Sequence, residues 1–205
     1  MTEGSHRVPL HYGRRMDLRQ WIVTDVAAVR AKLFDSVVGM VPAERWLEPA
    51  DGGGSTLTHL LLHIARHQDL AVNAAALGRP TRFAHHRAAL GLAAAPAGAG
   101  LAEREDPAVS AAVEQAALLA FVTDVFDTTQ AWVDHLDVDS LDDVPATADG
   151  LTGYGGLSHA ELPWLYSMWA GKPLGWLVQW PVIGHGNAHV GEGIALRNRM
   201  GLSPF

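Results

Sequence analysis

The chain contains no cysteine. That absence removes disulfides, thiolate metal sites and cysteine nucleophiles together. Any metal must then be held by His, Asp or Glu, and any thiol chemistry must use a thiol supplied from outside. No apolar run reaches the roughly 18–20 residues needed to cross a bilayer, so no membrane partner is expected. The opening MTEGSHRVPLHYGRRMDLRQ has charge and proline but no apolar stretch of the secretory kind, which makes the cytoplasm the expected location. Charge is scarce and acidic, with a formal net charge of −7. Nucleic acid is therefore not an expected partner, because neutralising phosphates takes a basic face. There is no phosphate-cradling glycine loop, no HExxH and no nucleophile elbow. The run GYGG at 153–156 lacks a strand–turn–helix context and reads as a turn.

What is present is helical periodicity. A chain of 205 residues, 48% hydrophobic, fits one domain with a substantial core. From Met16, apolar residues recur at Leu18, Ile22, Val26, Val29, Leu33 and Val37, in steps of three and four. A second helix is expected over about 55–76, capped by Ser55 or Thr56 and stopped by Gly78 and Pro80. Residues 91–100, GLAAAPAGAG, read as a flexible low-complexity connector. A third helix is expected to run unbroken from Pro107, a residue suited to the first turn, to about Leu136. The acidic stretch 137–156 reads as a long loop, followed by a short helix near 158–170 interrupted by Pro163. The last helix runs from about Pro173 to Met200, kinked at Pro181. The expected fold is all-α: a four-helix bundle over 16–205, with a long crossover, a short extra helix and a flexible leader at 1–15.

The histidines carry the chemistry. His185 and His189 are spaced i,i+4 in GHGNAHVGEG, which places both imidazoles on one helix face. His59, His63 and His67 repeat that step in the second helix. One His from the second helix and the pair from the last would give three ligands and leave a coordination position open, as catalytic metal sites do. Gly184, Gly186 and Ala188 are small and leave room around the pair. Glu192 returns to the face of His185 and reads as a supporting carboxylate, a fourth ligand, a general base or a salt-bridge partner. Trp180 and Trp176, about one and two turns before His185, read as core or as walls of a substrate pocket. His59 and His67 read as hydrogen-bonding supports or helix-surface residues, with His67 a candidate contact for a cofactor. His85 and His86, with Arg82 and Arg87, read as a solvated loop or an anion site. Asp124, Asp127 and Asp134 read as solvated.

LLLHIARHQD at 60–69, with HGNAHVGEGIALRNRMG at 185–201, resembles the DinB-like, or YfiT-like, metalloenzyme family. The resemblance implies a four-helix bundle whose metal is held by His63, His185 and His189. Actinobacterial members of the family resemble mycothiol-dependent enzymes, including maleylpyruvate isomerase, and others resemble bacillithiol transferases. By resemblance the chain is expected to be a divalent-metal-dependent transferase or isomerase. It would use a mycothiol-like low-molecular-weight thiol and a small electrophile, and it would form a homodimer. Zinc is the first choice of metal, with nickel or iron as alternatives. Glu192 would serve as the catalytic carboxylate. Hydrolysis by a metal-activated water and a non-catalytic metal-binding stress protein are the rival expectations.

Overall fold

The computed structural model describes residues 17–49 and 53–204; the leader expected at 1–15 lies outside them. The fold is all-helical, with no strand among the described residues. Asp17 caps α1 (Leu18–Ser36) by accepting from the Gln20 amide at 2.7 Å. Thr56 does the same for α2 (Leu57–Asp69), through the His59 amide at 3.2 Å. α2 continues into a wider π-helical stretch, Leu70–Ala76. The short helices α3 (Arg82–His86) and α4 (Pro107–Ala112) precede the long α5 (Gln115–Val133). α6 (Thr147–Gly153) and α7 (Pro163–Trp169) follow. The last long helix is composite: α8 (Leu174–Leu177), a π-helical stretch Val178–Gly184, then α9 (His185–Arg199). No helix among the described residues is long and apolar enough to cross a membrane.

The four long segments pack in a ring, α1 on α5, α5 on α2, α2 on α9 and α9 on α1. The α9–α1 approach depends on Gly186 and Gly193, where an added Cβ would lie 2.9 Å from side-chain carbons of Val29 and Val37 respectively. The space at Gly186 is thus filled by α1 and is not room around the histidines. The core forms two apolar clusters. One joins Val29, Leu33, Leu61, Phe121, Phe126 and Val190; the other joins Ile22, Val26, Leu70, Leu151, Trp169 and Val182. His185 and His189 fall between Val182 of the second cluster and Val190 of the first, and on α2 His67 falls between Ala65 and Leu70, while His59 and His63 lie among residues of the first cluster. Burying polar rings at that level is tolerable only if they find partners.

Three local expectations are corrected. The third helix is broken at Val113–Glu114, where Val113 enters the core and the Glu114 amide turns to the Leu90 carbonyl at 3.2 Å. Pro163 opens α7 instead of interrupting it, since a first-turn residue needs no amide hydrogen. The acidic stretch after α5 is not a plain loop: it holds a 3₁₀ turn, Val138–Asp142, and α6. Pro181 sits inside the π-helical stretch, where the bonding reaches five residues back and the His185 amide donates to the Trp180 carbonyl.

Candidate metal centre

Every residue of α2 is buried, polar ones included. Its apolar side faces the core, and its polar side is covered by the segment expected to be a flexible connector. That segment is a strap, held by its backbone carbonyls. Arg66 Nε and one terminal nitrogen donate to the Ala99 and Ala97 carbonyls at 3.1 and 2.6 Å. His63 Nδ1 donates to the Gly100 carbonyl at 2.9 Å and His67 Nε2 to the Leu101 carbonyl at 3.0 Å. His59 bonds the Glu103 backbone. The four-residue histidine step therefore serves the strap first. The Arg66 guanidinium also lies 3.7 Å from the Phe83 ring centre. Burial lowers its pKa to about 10, which leaves it charged.

Gly100 permits this contact. Its φ of +78° is one that side-chain-bearing residues rarely adopt, and a Cβ there would lie 2.7 Å from Leu62 Cγ.

Across α2 and α9 the expected ligands converge. His185 Nε2 lies 3.1 Å from His63 Nε2 and 3.1 Å from His189 Nε2. Glu103, at the end of the strap, completes the group. Its carboxylate oxygens are 3.7, 3.9 and 3.7 Å from the Nε2 atoms of His63, His185 and His189. All four ligand atoms lie within 4.8 Å of one another. The edge of a tetrahedron with bonds of 2.0–2.1 Å is about 3.3–3.4 Å, close to these separations.

Protonation fits a cation at the centre. A carbonyl only accepts, so His63 carries its proton on Nδ1 and points a lone pair from Nε2. His189 Nδ1 lies 3.0 Å from Glu192 Oε2, which fixes the proton on Nδ1 and again bares Nε2. A neutral His185 has one N–H and can satisfy only one of its two Nε2 neighbours. A shared cation satisfies all three. Burial first, then the charge of neighbouring His189, lowers His63 to about 4 and His185 to about 3, so both are neutral ligands at neutral pH. His185 Nδ1 has no partner among the described residues. His63, Glu103, His185 and His189 thus form a group that could hold a metal ion.

The other sequence candidates are distributed around this group. His67 stacks near His185, ring centres 4.5 Å apart, but its Nε2 is committed to Leu101. Burial pushes its pKa well below the usual imidazole value. His59 is buried, not a surface residue, with its ring 5.5 Å from that of His63. Trp180 meets His185 edge-on, ring centres 6.2 Å apart. Trp176 instead lies under the Lys172 ammonium and packs on the second core cluster. The π-helical stretch shifts the register, so the two tryptophans do not share one face toward His185. Asp124 is not a solvated acid: Arg82 and His86 both reach it, at 2.7 and 2.8 Å. Asp127 pairs with Arg30 and Asp134 accepts from Gln130. His85 and His86 belong to α3 and not to a loop.

Glu103 is the member of this group that the sequence did not point to. Its local pattern, AEREDP, is that of a solvated turn. The available signal was the small-residue run AGAG just before it, which allows a loop to lie against a helix but does not single out the carboxylate. A cleft of about 590 Å³, walled by Glu103, Glu192, Arg104, Leu47, Thr56 and Pro107 among others, adjoins the group at Glu103. No protein-family model, no curated protein and no solved structure matches this chain.

Proposed function

We propose that the chain is a DinB-like four-helix-bundle metalloenzyme, cytoplasmic and dimeric, in which His63, His185 and His189 hold one divalent ion, zinc by preference. Its reaction is transfer of an external low-molecular-weight thiol, mycothiol-like, to a small electrophile, or isomerisation through such a thiol. The observation that carries this reading is the convergence of three Nε2 atoms, two of them bared by acceptors on Nδ1. Neutral imidazoles with a carboxylate at tetrahedral separations suit zinc.

A divalent ion so held supplies one thing: it stabilises thiolate, the reactive form of a thiol, at neutral pH. The chain's own residues do the rest. Gly100 and Glu192 hold the rings of His63 and His189 in place, as acceptors on metal-bound histidines do. The cleft beside Glu103 and Glu192 admits small molecules. Trp180 stands at the edge of His185 and shields that side of the group. The absence of cysteine means the sulfur nucleophile must come from solution.

The test is elemental analysis of the purified protein, followed by assays with mycothiol and small electrophiles on metal-loaded and chelated samples. Metal at one equivalent and turnover that needs both the metal and the thiol are expected, with net thiol consumption for transfer and none for isomerisation. Turnover without thiol would reassign the site to hydrolysis. Absence of bound metal, or turnover that survives chelation, would remove the metal reading.

A further inference from the structure

Three carboxylates stand on the cleft, and they are held very differently. Both oxygens of Glu105 are taken by Thr56, from its amide at 2.7 Å and its hydroxyl at 2.8 Å. Glu192 is committed to His189 Nδ1. Glu103 alone faces the three Nε2 atoms, and its side chain is 74% exposed while those of His63, His185 and His189 are 1%, 6% and 12% exposed. Its backbone, however, is pinned. Gly100 and Leu101 are fastened just before it, His59 holds its own backbone, and Glu105 is fastened just after it. The side chain stands exposed on this pinned backbone, between the histidines and open water.

Taken literally, the four-residue group is closed. Structural zinc sites fill all four corners with protein, whereas catalytic sites keep one for substrate. A buried fourth ligand would have placed this group among the former. An exposed one on a pinned backbone does not.

We propose that Glu103 is a displaceable fourth ligand, whose carboxylate closes the three-histidine group at rest and turns to solvent to yield its corner to the sulfur of the incoming thiol. This rests on the metal reading above. The exchange replaces one monoanionic donor with another, so the charge around the ion is unchanged and no unpaired charge is left in the buried half of the site. The thiol S–H must give up its proton on taking the corner. The freed carboxylate, facing the cleft, is the first acceptor on the way to bulk water. The device selects donors that bind as anions: thiols displace Glu103, and neutral amines of similar size do not.

The experiment uses cobalt(II) as a spectroscopic probe on the full chain, with 2-mercaptoethanol as the thiol. Wild type, Glu103→Ala, Glu103→Gln and His189→Ala are compared by visible absorption and by competition with a chelator. Glu103 is exposed, so its variants should fold as wild type does; circular dichroism checks this. Wild type should bind cobalt with the strong visible bands of a four-coordinate ion and gain a sulfur-to-cobalt charge-transfer band on adding thiol. Glu103→Ala should show altered visible bands, about tenfold weaker cobalt binding and about tenfold tighter thiol binding, tenfold being about 1.4 kcal/mol. Glu103→Gln should fall between the two. Wild type and Glu103→Ala with identical spectra and thiol affinity would overturn the role of Glu103 while leaving the histidine site intact. A wild-type spectrum unmoved by saturating thiol would make Glu103 a permanent ligand and also overturn the proposal. If wild type binds no cobalt, or His189→Ala binds it equally well, the metal reading itself fails.

Discussion

His189 donates Nδ1–H to Glu192 Oε2 at 3.0 Å, three residues further along α9. The pair lies within one helix turn, so the orientation of the His189 ring is set locally by the helix. The matching restraint on His63 comes from Gly100, 37 residues away in sequence.

Replacing Glu192 should therefore weaken the site without abolishing it. Losing an acceptor on a metal-bound histidine costs about 10–100-fold in metal affinity. Glu192→Ala is expected to lose that much, and Glu192→Gln less, because its amide oxygen still accepts from Nδ1. Chelator competition measures both. Unchanged affinity in Glu192→Ala would reduce Glu192 to a surface acid.

His189→Ala and His67→Ala should separate ligand from scaffold. His189→Ala is expected to lose most of the bound metal with little loss of fold, since the residue lies at the edge of the cluster. His67→Ala should keep the metal but lose about 1–3 kcal/mol of stability, because the buried Leu101 carbonyl is left without its donor. Metal content and urea unfolding on the same samples decide it. Loss of metal in His67→Ala at intact stability would make His67 a ligand.

Gly100→Ala tests the strap. A side chain at φ +78° is strained, and its Cβ would lie 2.7 Å from Leu62 Cγ and 3.4 Å from Arg66 Cγ. The loop must lift, and the acceptor of His63 Nδ1 lifts with it. The expected loss is about 2 kcal/mol or more, together with weaker metal binding. Ala at Gly153, where a Cβ meets nothing within 4 Å, is the control and should bind metal as wild type does.

Acidification should destabilise the metal-free protein in a defined window. Burial holds His63 at about 4 and His185 at about 3, below the ordinary imidazole value of about 6.5. A depressed folded value means the unfolded chain binds more protons in between. The stability these groups contribute is present above about 6.5 and is lost as pH falls through about 4 for His63 and toward about 3 for His185. The ceiling is on the order of 3 kcal/mol for His63 and on the order of 5 kcal/mol for His185, since one pKa unit is worth about 1.4 kcal/mol. Urea unfolding with chelator at several pH values measures the slope. His185→Gln should flatten it, and an unchanged slope would mean the rings are not buried as described. Metal release should follow the same window, because ligation requires unprotonated imidazole.

Periodicity and short-range spacing determined a good deal by themselves. The steps of three and four named the four long helices, and the i,i+4 spacing put His185 and His189 on one face, because both are properties of a single turn of backbone. The missing cysteine fixed the donor types. Tertiary structure decided the rest. The break at Val113 arises because that side chain enters the core and the following amide meets Leu90, 24 residues earlier in the chain. The strap lies on α2 because Gly100 allows carbonyls to reach His63, Arg66 and His67, a fit that depends on two backbones approaching closely. That approach gave His59, Arg66 and His67 structural partners, left the Nε2 of His63 to face the α9 pair, and brought Glu103 to the histidines. Spacing along a helix says which side chains share a face; only the packing of a distant loop says which donor fills the fourth corner.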